Sequence, residues 1–290
     1  MEHKKILWGA AAVLVLVFGI AGYLSADRQP VSAPADNRSH PILVSWWNET
    51  GMLLGASQNG AWRSIDPQAL NHKQEGVLKG FPLVAGGERY KIYTRDRYLG
   101  VYTGGKAALR LAALPVVAIG LMPKLKPEQE YIAVAGDWNP RPRVPAKIQP
   151  DASIRQVLQN RLTYYGLPGA PLKIDQVWEI DLDHDGKVEQ LVEATHLPDV
   201  MQASPDTYSM VFLMNGTRSP IMLRKDFRTK KVEKDGAPPL KFSVAAILDL
   251  NGDSQMEVVL RSSYYEGEWT EVYEIKGNQA ELVLTEGNGL

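Results

Sequence analysis

The sequence predicts a mainly β (α+β) protein: an N-terminal transmembrane helix, a β-rich unit, then a helix followed by two four-stranded β units. Three observations lead to this prediction. Residues 6–24 carry no charge, short apolar runs alternate with Gly, Pro and Asn turns in the rest of the chain, and an acidic motif recurs 68 residues after its first occurrence. A chain of 290 residues also has room for two domains beside a targeting segment.

The N-terminal segment, ILWGAAAVLVLVFGIAGYL at residues 6–24, is long enough as a helix to cross a bilayer. Lys4 and Lys5 precede it, so the positive-inside rule places the N-terminus in the cytoplasm and the following domains outside. A cleaved signal peptide is the alternative, but Leu24-Ser25-Ala26 is a poor cleavage site. We therefore interpret residues 1–26 as a single-pass signal-anchor in the cell membrane.

Residues 27–41 are polar and rich in proline, which predicts a flexible tether. The chain has no cysteine, and an exported protein of this size without disulfides is typical of bacteria. Its net charge of −1 argues against a nucleic-acid partner.

Residues 42–135 are predicted to form the β-rich N-terminal unit. Asn59-Gly60 predicts a hairpin turn, and two alternating runs meet at Arg95-Asp96. The apolar stretch from Leu109 to Met122 contains Pro115 and is too short for a second membrane span, so a buried strand pair is expected.

Residues 136–150 are proline-rich and are predicted to link the two units. In residues 151–290 a helix is expected from about Ser153 to Tyr165, because apolar residues recur on one face and Asp151 or Ser153 can cap it. Strands follow, with hairpin turns at Asn215-Gly216 and at residues 276–278.

The acidic motif reads DLDHDGKVE from Asp181 and DLNGDSQME from Asp249. Carboxylate or amide side chains stand at its first, third, fifth and ninth positions, and oxygen ligands at alternate positions of a tight loop suit calcium. The candidate metal ligands are Asp181, Asp183, Asp185 and Glu189 in the first loop and Asp249, Asn251, Asp253 and Glu257 in the second. The alternative is a pair of turns in which Asp and Asn side chains bond their own backbone, without a metal.

The two motifs resemble the calcium loops of FG-GAP or VCBS-type repeats, the strand-loop-strand units of integrin-like β-propellers. The resemblance covers about the last 120 residues and implies propeller-blade-like units with the same eight residues as ligands. Two blades cannot close a propeller, so an open or packed sheet is expected. Ser254 stands where the first loop has the turn glycine Gly186, and this predicts weaker calcium binding in the second loop. Residues 42–135 resemble only uncharacterised exported bacterial proteins.

The sequence contains no GxSxG, HExxH or Walker motif and no thiol, so it gives no recognisable catalytic constellation. The acidic and aromatic run at residues 264–269 leaves one enzymatic alternative, a carbohydrate-active hydrolase that uses Glu266 and Glu268. A basic run between the two β units, from Arg224 to Lys234, is predicted to be a solvated loop.

The favoured function is a membrane-tethered extracytoplasmic binding or structural module, stabilised by calcium. Its expected partners are the membrane, through residues 6–24, and a cell-envelope protein or polysaccharide. An accessory subunit of an envelope complex is the remaining alternative.

Overall fold

The computed structural model describes residues 38–46, 50–66, 70, 76–111, 114–199, 201, 204–216, 219–229 and 238–288. These residues belong to one compact unit. The predicted membrane segment, residues 6–24, lies outside them. Within the described ranges no helix is long and apolar enough to cross a membrane.

The predicted mainly β class is confirmed, with three antiparallel sheets and one helix in the described part of the chain. The strands of the first sheet are β1 (His40–Trp46), β2 (Thr50–Gln58), β3 (Ala61–Arg63), β4 (Gly76–Val77), β5 (Arg89–Tyr93), β6 (Tyr98–Gly104), β7 (Ala108–Leu111), β8 (Pro115–Met122) and β9 (Ile132–Ala135). Their order is β3-β2-β1-β9-β5-β6-β8-β7-β4, and β8 also pairs with β2, so the sheet curls back on itself.

The turn signals of this region locate its hairpins correctly. β2 and β3 pair across Asn59-Gly60, where both residues have a positive φ, as such a two-residue turn requires. β5 and β6 pair on either side of Arg95-Asp96. The apolar stretch Leu109 to Met122 forms the predicted strand pair, β7 with β8.

The second sheet contains β10 (Ala146–Ile148), β11 (Ile174–Ile180), β12 (Glu189–His196), β13 (Thr207–Met214) and β14 (Ile221–Arg228) in sequential order. The third contains β15 (Lys241–Leu248), β16 (Glu257–Tyr264), β17 (Gly267–Lys276) and β18 (Gln279–Asn288), also in order. The second sheet has five strands rather than the predicted four, because β10 pairs with β11. β10 comes from the segment that the sequence predicted to be a linker.

The single described helix, α1 (Ala152–Tyr164), covers one face of the second sheet. The Asp151 side chain caps it by accepting a hydrogen bond from Ile154 N at 2.9 Å. Ile154, Leu158 and Leu162 are fully buried in one cluster with residues of β11, β12 and β13. The apolar stripe in the sequence therefore predicted both the helix and its packing face.

The core clusters show how the sheets are layered. One cluster joins the second sheet to the third, with Leu191 and Leu260 among its members. Another joins the third sheet to the first, with Val259 and Ile42 among its members. Since adjacent residues of β16 belong to different clusters, the third sheet is buried on both faces.

Candidate metal centre

The acidic motifs form the loops between the first two strands of the four-strand runs β11–β14 and β15–β18, the first of which is extended by β10 beside β11. The first loop joins β11 to β12, whose ends pair at Ile180 and Glu189. The second joins β15 to β16, whose ends pair at Leu248 and Glu257. The repeated sequence therefore corresponds to a repeated position in the fold.

Each loop contains the same four internal hydrogen bonds, between residues at equivalent positions. The ninth-position glutamate accepts from the second-position N–H, at 2.9 Å in the first loop and 2.7 Å in the second. The first-position aspartate accepts from the sixth N–H, at 3.1 and 3.0 Å. The third-position side chain accepts from the fifth N–H, and the fifth-position side chain from the seventh. Loop conformation is thus set by side-chain acceptors bonded to the backbone of the same loop.

The fourth and sixth positions of each loop have a positive φ. The first loop places His184 and Gly186 there, with φ of 63° and 82°. The second places Gly252 and Ser254 there, with φ of 82° and 71°. Each loop therefore has one glycine and one other residue in the left-handed region, in opposite order, and Ser254 adopts the turn despite its Cβ.

In the first loop, three of the four predicted ligands converge. Oxygen atoms of Asp181, Asp183 and Glu189 all lie within 4.8 Å of one another. Asp185 is not in this group, and its Oδ2 accepts a hydrogen bond from Lys187 Nζ at 2.7 Å. The Oδ1 atom of Asp181 is buried and has no hydrogen-bond partner among the described residues.

The second loop satisfies its acceptors internally. Asp249 uses both oxygens, accepting from Gly252 N at 2.6 Å and from Ser254 N at 3.0 Å. The Asn251 side chain donates to Asp253 Oδ2 at 3.1 Å. Asp249, Asp253 and Glu257 form no convergent cluster like that of the first loop within the described chain.

Burial and mutual repulsion disfavour ionisation of the inner carboxyl groups. Burial raises the pKa of Glu189, and the neighbouring aspartates raise it further against a lowering by its bond from Leu182 N. Burial likewise raises the pKa of Glu257 to about 9 and that of Asp249 above its ordinary value. A cation beside such groups would favour their charged forms.

The loops lie side by side and are held together by residues that the sequence did not single out. Met256 N donates to Leu182 O at 2.9 Å, which joins the second loop directly to the first. Arg143 donates to three carbonyl oxygens: those of Asp181 at 2.5 Å, Leu182 at 3.1 Å and Ser254 at 2.7 Å. One guanidinium group therefore bridges both loops.

Trp138 covers the second loop. Its Nε1 donates to Asp249 O at 2.9 Å, and its ring lies so close to Gly252 that a Cβ there would be 2.9 Å from Trp138 Cδ2. The backbone is joined as well, since Asp249 N donates to Pro140 O at 2.8 Å. The segment 136–150, predicted as a linker, thus contacts both loops, and no composition signal could have identified Arg143 or Trp138.

A scan of family models and searches of curated proteins and of solved structures found no match to this chain. The site must therefore be interpreted from its own residues.

The residues of the enzymatic alternative lie elsewhere, at the β16–β17 hairpin. Glu266 is exposed in its two-residue turn, which follows from the pairing of Tyr264 with Gly267. Glu268 is on β17, and its Oε2 is 3.7 Å from an Arg261 nitrogen.

Proposed function

We propose that the first acidic loop binds a calcium ion and that the protein is a non-catalytic extracytoplasmic module stabilised by this ion. The observation that carries the proposal is the buried Oδ1 of Asp181, without a hydrogen-bond partner among the described residues. It belongs to a residue whose neighbours, Asp183 and Glu189, also contribute to the convergent oxygen cluster. Leaving a buried carboxylate oxygen without a partner is costly, and a hard cation would remove that cost.

The residues present are suitable ligands for calcium. The three converging groups are carboxylates, and calcium prefers oxygen ligands in flexible arrangements. Asp181, Asp183 and Glu189 would hold the ion. The hydrogen bonds within the loop do not compete with this role, because each carboxylate has two oxygens and accepts at several lone-pair sites.

The second loop is proposed to bind calcium more weakly or not at all. Both oxygens of Asp249 already accept backbone hydrogen bonds, and the Asn251 amide donates to Asp253. Asn251 also gives this loop one formal negative charge fewer than the first. Affinity of calcium loops depends on the number of charged ligands, so the first loop should be occupied at lower concentration.

The proposed relation to FG-GAP or VCBS-type repeats is supported by the position of the loops. Each loop connects the first two strands of a four-strand run, β11–β14 and β15–β18, in which sequential strands are neighbours. Such a run is the architecture of a propeller blade. We propose the module to be tethered by residues 6–24 as a single-pass anchor and to face a protein or polysaccharide of the cell envelope.

Differential scanning calorimetry with calcium and with a chelator tests the calcium site. At about 100 times the dissociation constant, a ligand specific for the folded state adds about 2.7 kcal/mol to the free energy of unfolding. We expect the wild-type melting temperature to rise in calcium, Asp183→Ala to abolish most of the rise, and Asn251→Ala to remove little.

The two variants are matched, because Asp183 and Asn251 occupy the third position of loops with the same backbone hydrogen bonds. An unchanged wild-type melting temperature at millimolar calcium would contradict the proposal. Both loops would then be structural turns that are stabilised by their own side chains, without a metal.

A further inference from the structure

An open groove lies between the first and third sheets, on a different part of the molecule from the residues of the acidic loops. It consists of three adjoining depressions of about 400, 720 and 400 Å³, and all three are lined by Arg261. The middle depression shares Glu130 and Tyr131 with one neighbour, and Trp46 and Glu268 with the other. Compact ligands are enclosed on most of their surface, so an open succession of depressions suits an extended chain.

Arg261 organises the polar groups of the groove. Its side chain is only 16% exposed and lies beside two carboxylates that are far more accessible, Glu130 at 71% and Glu268 at 50%. Its guanidinium nitrogens are 2.5 Å from Glu130 Oε1 and 3.7 Å from Glu268 Oε2, and one donates to Ser45 Oγ at 3.1 Å. The largely buried guanidinium group of Arg261 thus lies between two accessible carboxylates, Glu130 and Glu268, on the two sides of the groove.

Aromatic rings accompany these polar groups. Trp46, Tyr264 and Trp269 line one end depression, and the rings of Tyr264 and Trp269 are 6.4 Å apart and tilted by 56°. Aromatic side chains combine a flat apolar face with rigid placement. The C–H face of a pyranose ring is apolar while its edge carries hydroxyl groups, so such a ring can use both the aromatic faces and the carboxylate acceptors.

The charges of the groove do not favour a charged polymer. Among the described residues that line the three depressions, acidic and basic side chains are equal in number. Recognition of a polyanion or a polycation would require an excess of one sign.

The strands of the groove do not favour an extended peptide. β1 is paired with β2 and β9, β16 with β15 and β17, and β17 with β16 and β18. A peptide that adds to a sheet needs an unpaired strand edge, which these strands do not offer. Residues 243–245 of β15 also line the groove, and β15 is an edge strand of the third sheet. Two of its N–H groups, those of Phe242 and Val244, already donate to Ser209 Oγ and Glu193 Oε2. Contacts in the groove therefore come mainly from side chains.

We propose that this groove binds a neutral oligosaccharide chain, with Glu130, Glu268 and Arg261 contacting hydroxyl groups and the aromatic rings contacting sugar faces. This inference deepens the proposed binding role by naming a ligand class, but it does not depend on the calcium loop. Its assay detects a glycan rather than a metal, so failure of either proposal leaves the other standing.

The test is isothermal titration of the full-length protein, in a detergent without a sugar headgroup, with cellohexaose, chitohexaose and maltohexaose. We expect at least one hexasaccharide to bind, and to bind more tightly than its disaccharide, because only the longer chain spans the depressions. Loss of a charged hydrogen-bond acceptor should weaken binding by about tenfold or more in Glu268→Gln. Trp269→Ala should weaken it comparably.

The matched control is Glu281→Gln, which changes an exposed glutamate of the neighbouring strand β18 that is paired with Lys276 outside the groove. It should bind as the wild type does. If none of the three sugars binds at millimolar concentration, the proposal is wrong. The proposal is equally wrong if Glu268→Gln and Glu281→Gln bind the sugar alike while both remain folded. It is also wrong if an extended peptide binds the groove and no sugar does.

Discussion

Replacement of Arg143 tests how strongly the two acidic loops depend on the segment that precedes α1. In Arg143→Ala three carbonyl oxygens lose a charged donor: those of Asp181, Leu182 and Ser254. Each hydrogen bond of this kind contributes about 1.5–3 kcal/mol net. The three losses are not equal, however, and the structure indicates which of them is uncompensated.

Leu182 O keeps its hydrogen bond from Met256 N, and water can reach the carbonyl of Ser254, which is an exposed residue. The uncompensated loss is therefore mainly at Asp181. We expect the free energy of unfolding of Arg143→Ala to fall by about 2–3 kcal/mol, measured by urea denaturation. Arg143→Lys should recover only part of this, because an ammonium group cannot match the planar spread of the guanidinium donors.

The matched control is Arg155→Ala, an exposed arginine on α1, which should change stability by less than about 0.5 kcal/mol. If Arg143→Ala is no more destabilising than Arg155→Ala, the bridge between the loops contributes nothing measurable and the reasoning fails.

Two further predictions concern the buried carboxyl group of Glu193 and the partly buried one of Glu286. Glu193 Oε2 accepts from Val244 N at 3.0 Å, so Glu193→Ala should cost about 1–3 kcal/mol in urea melts, whereas Glu193→Gln, which keeps an acceptor, should cost much less; equal losses would show that the acceptor is not needed. Burial raises the pKa of Glu286 to about 7 from an ordinary 4.5, so the folded state binds more protons between these pH values and stability should fall as pH rises through that window. Glu286→Gln should remove the contribution of Glu286 and leave a shallower pH dependence in melts from pH 4 to 8, because other carboxyl groups with raised pKa values remain. An unaltered pH profile would contradict the assignment.

The elements that the sequence predicted well are those governed by local chemistry. Asn59-Gly60 requires a positive φ at two adjacent residues, and the hairpin forms there. Asp151 caps the helix because its side chain reaches the free N–H of Ile154. The equivalence of the acidic loops was predictable for the same reason, since the bonds that shape them lie within nine residues.

The elements that the sequence did not predict depend on distant neighbours. Arg224 was expected in a solvated basic loop, but it lies on β14, and its Nε is 3.2 Å from the buried Glu271 on β17. Only the packing of two sheets brings these residues together, so the prediction of a solvated loop is wrong for the part of the run that lies on β14. Lys230, Lys231 and Lys234 lie outside the described residues. The roles of Arg143 and Trp138 were missed for the same reason.

The surroundings of the two loops explain why the same backbone conformation leaves a buried oxygen unsatisfied in the first loop and not in the second. The second loop follows a strand of the sheet that is buried on both faces, and its eighth residue, Met256, is 2% exposed, whereas the first loop has Val188 there at 55%. Asp249 is itself buried, and a buried carboxylate must have its oxygens satisfied, as both oxygens of Asp249 are by N–H groups of its own loop. The first loop has His184 where the second has Gly252. Gly252 N donates to Asp249 Oδ1, but among the described residues no equivalent bond reaches Asp181 Oδ1. The unsatisfied oxygen of Asp181 is the reason to look for the cation in the first loop. Asp181→Asn removes the charge but keeps the loop's bond from Gly186 N, so it should lower the calcium association constant by a larger factor than it lowers the folding equilibrium constant in the chelator.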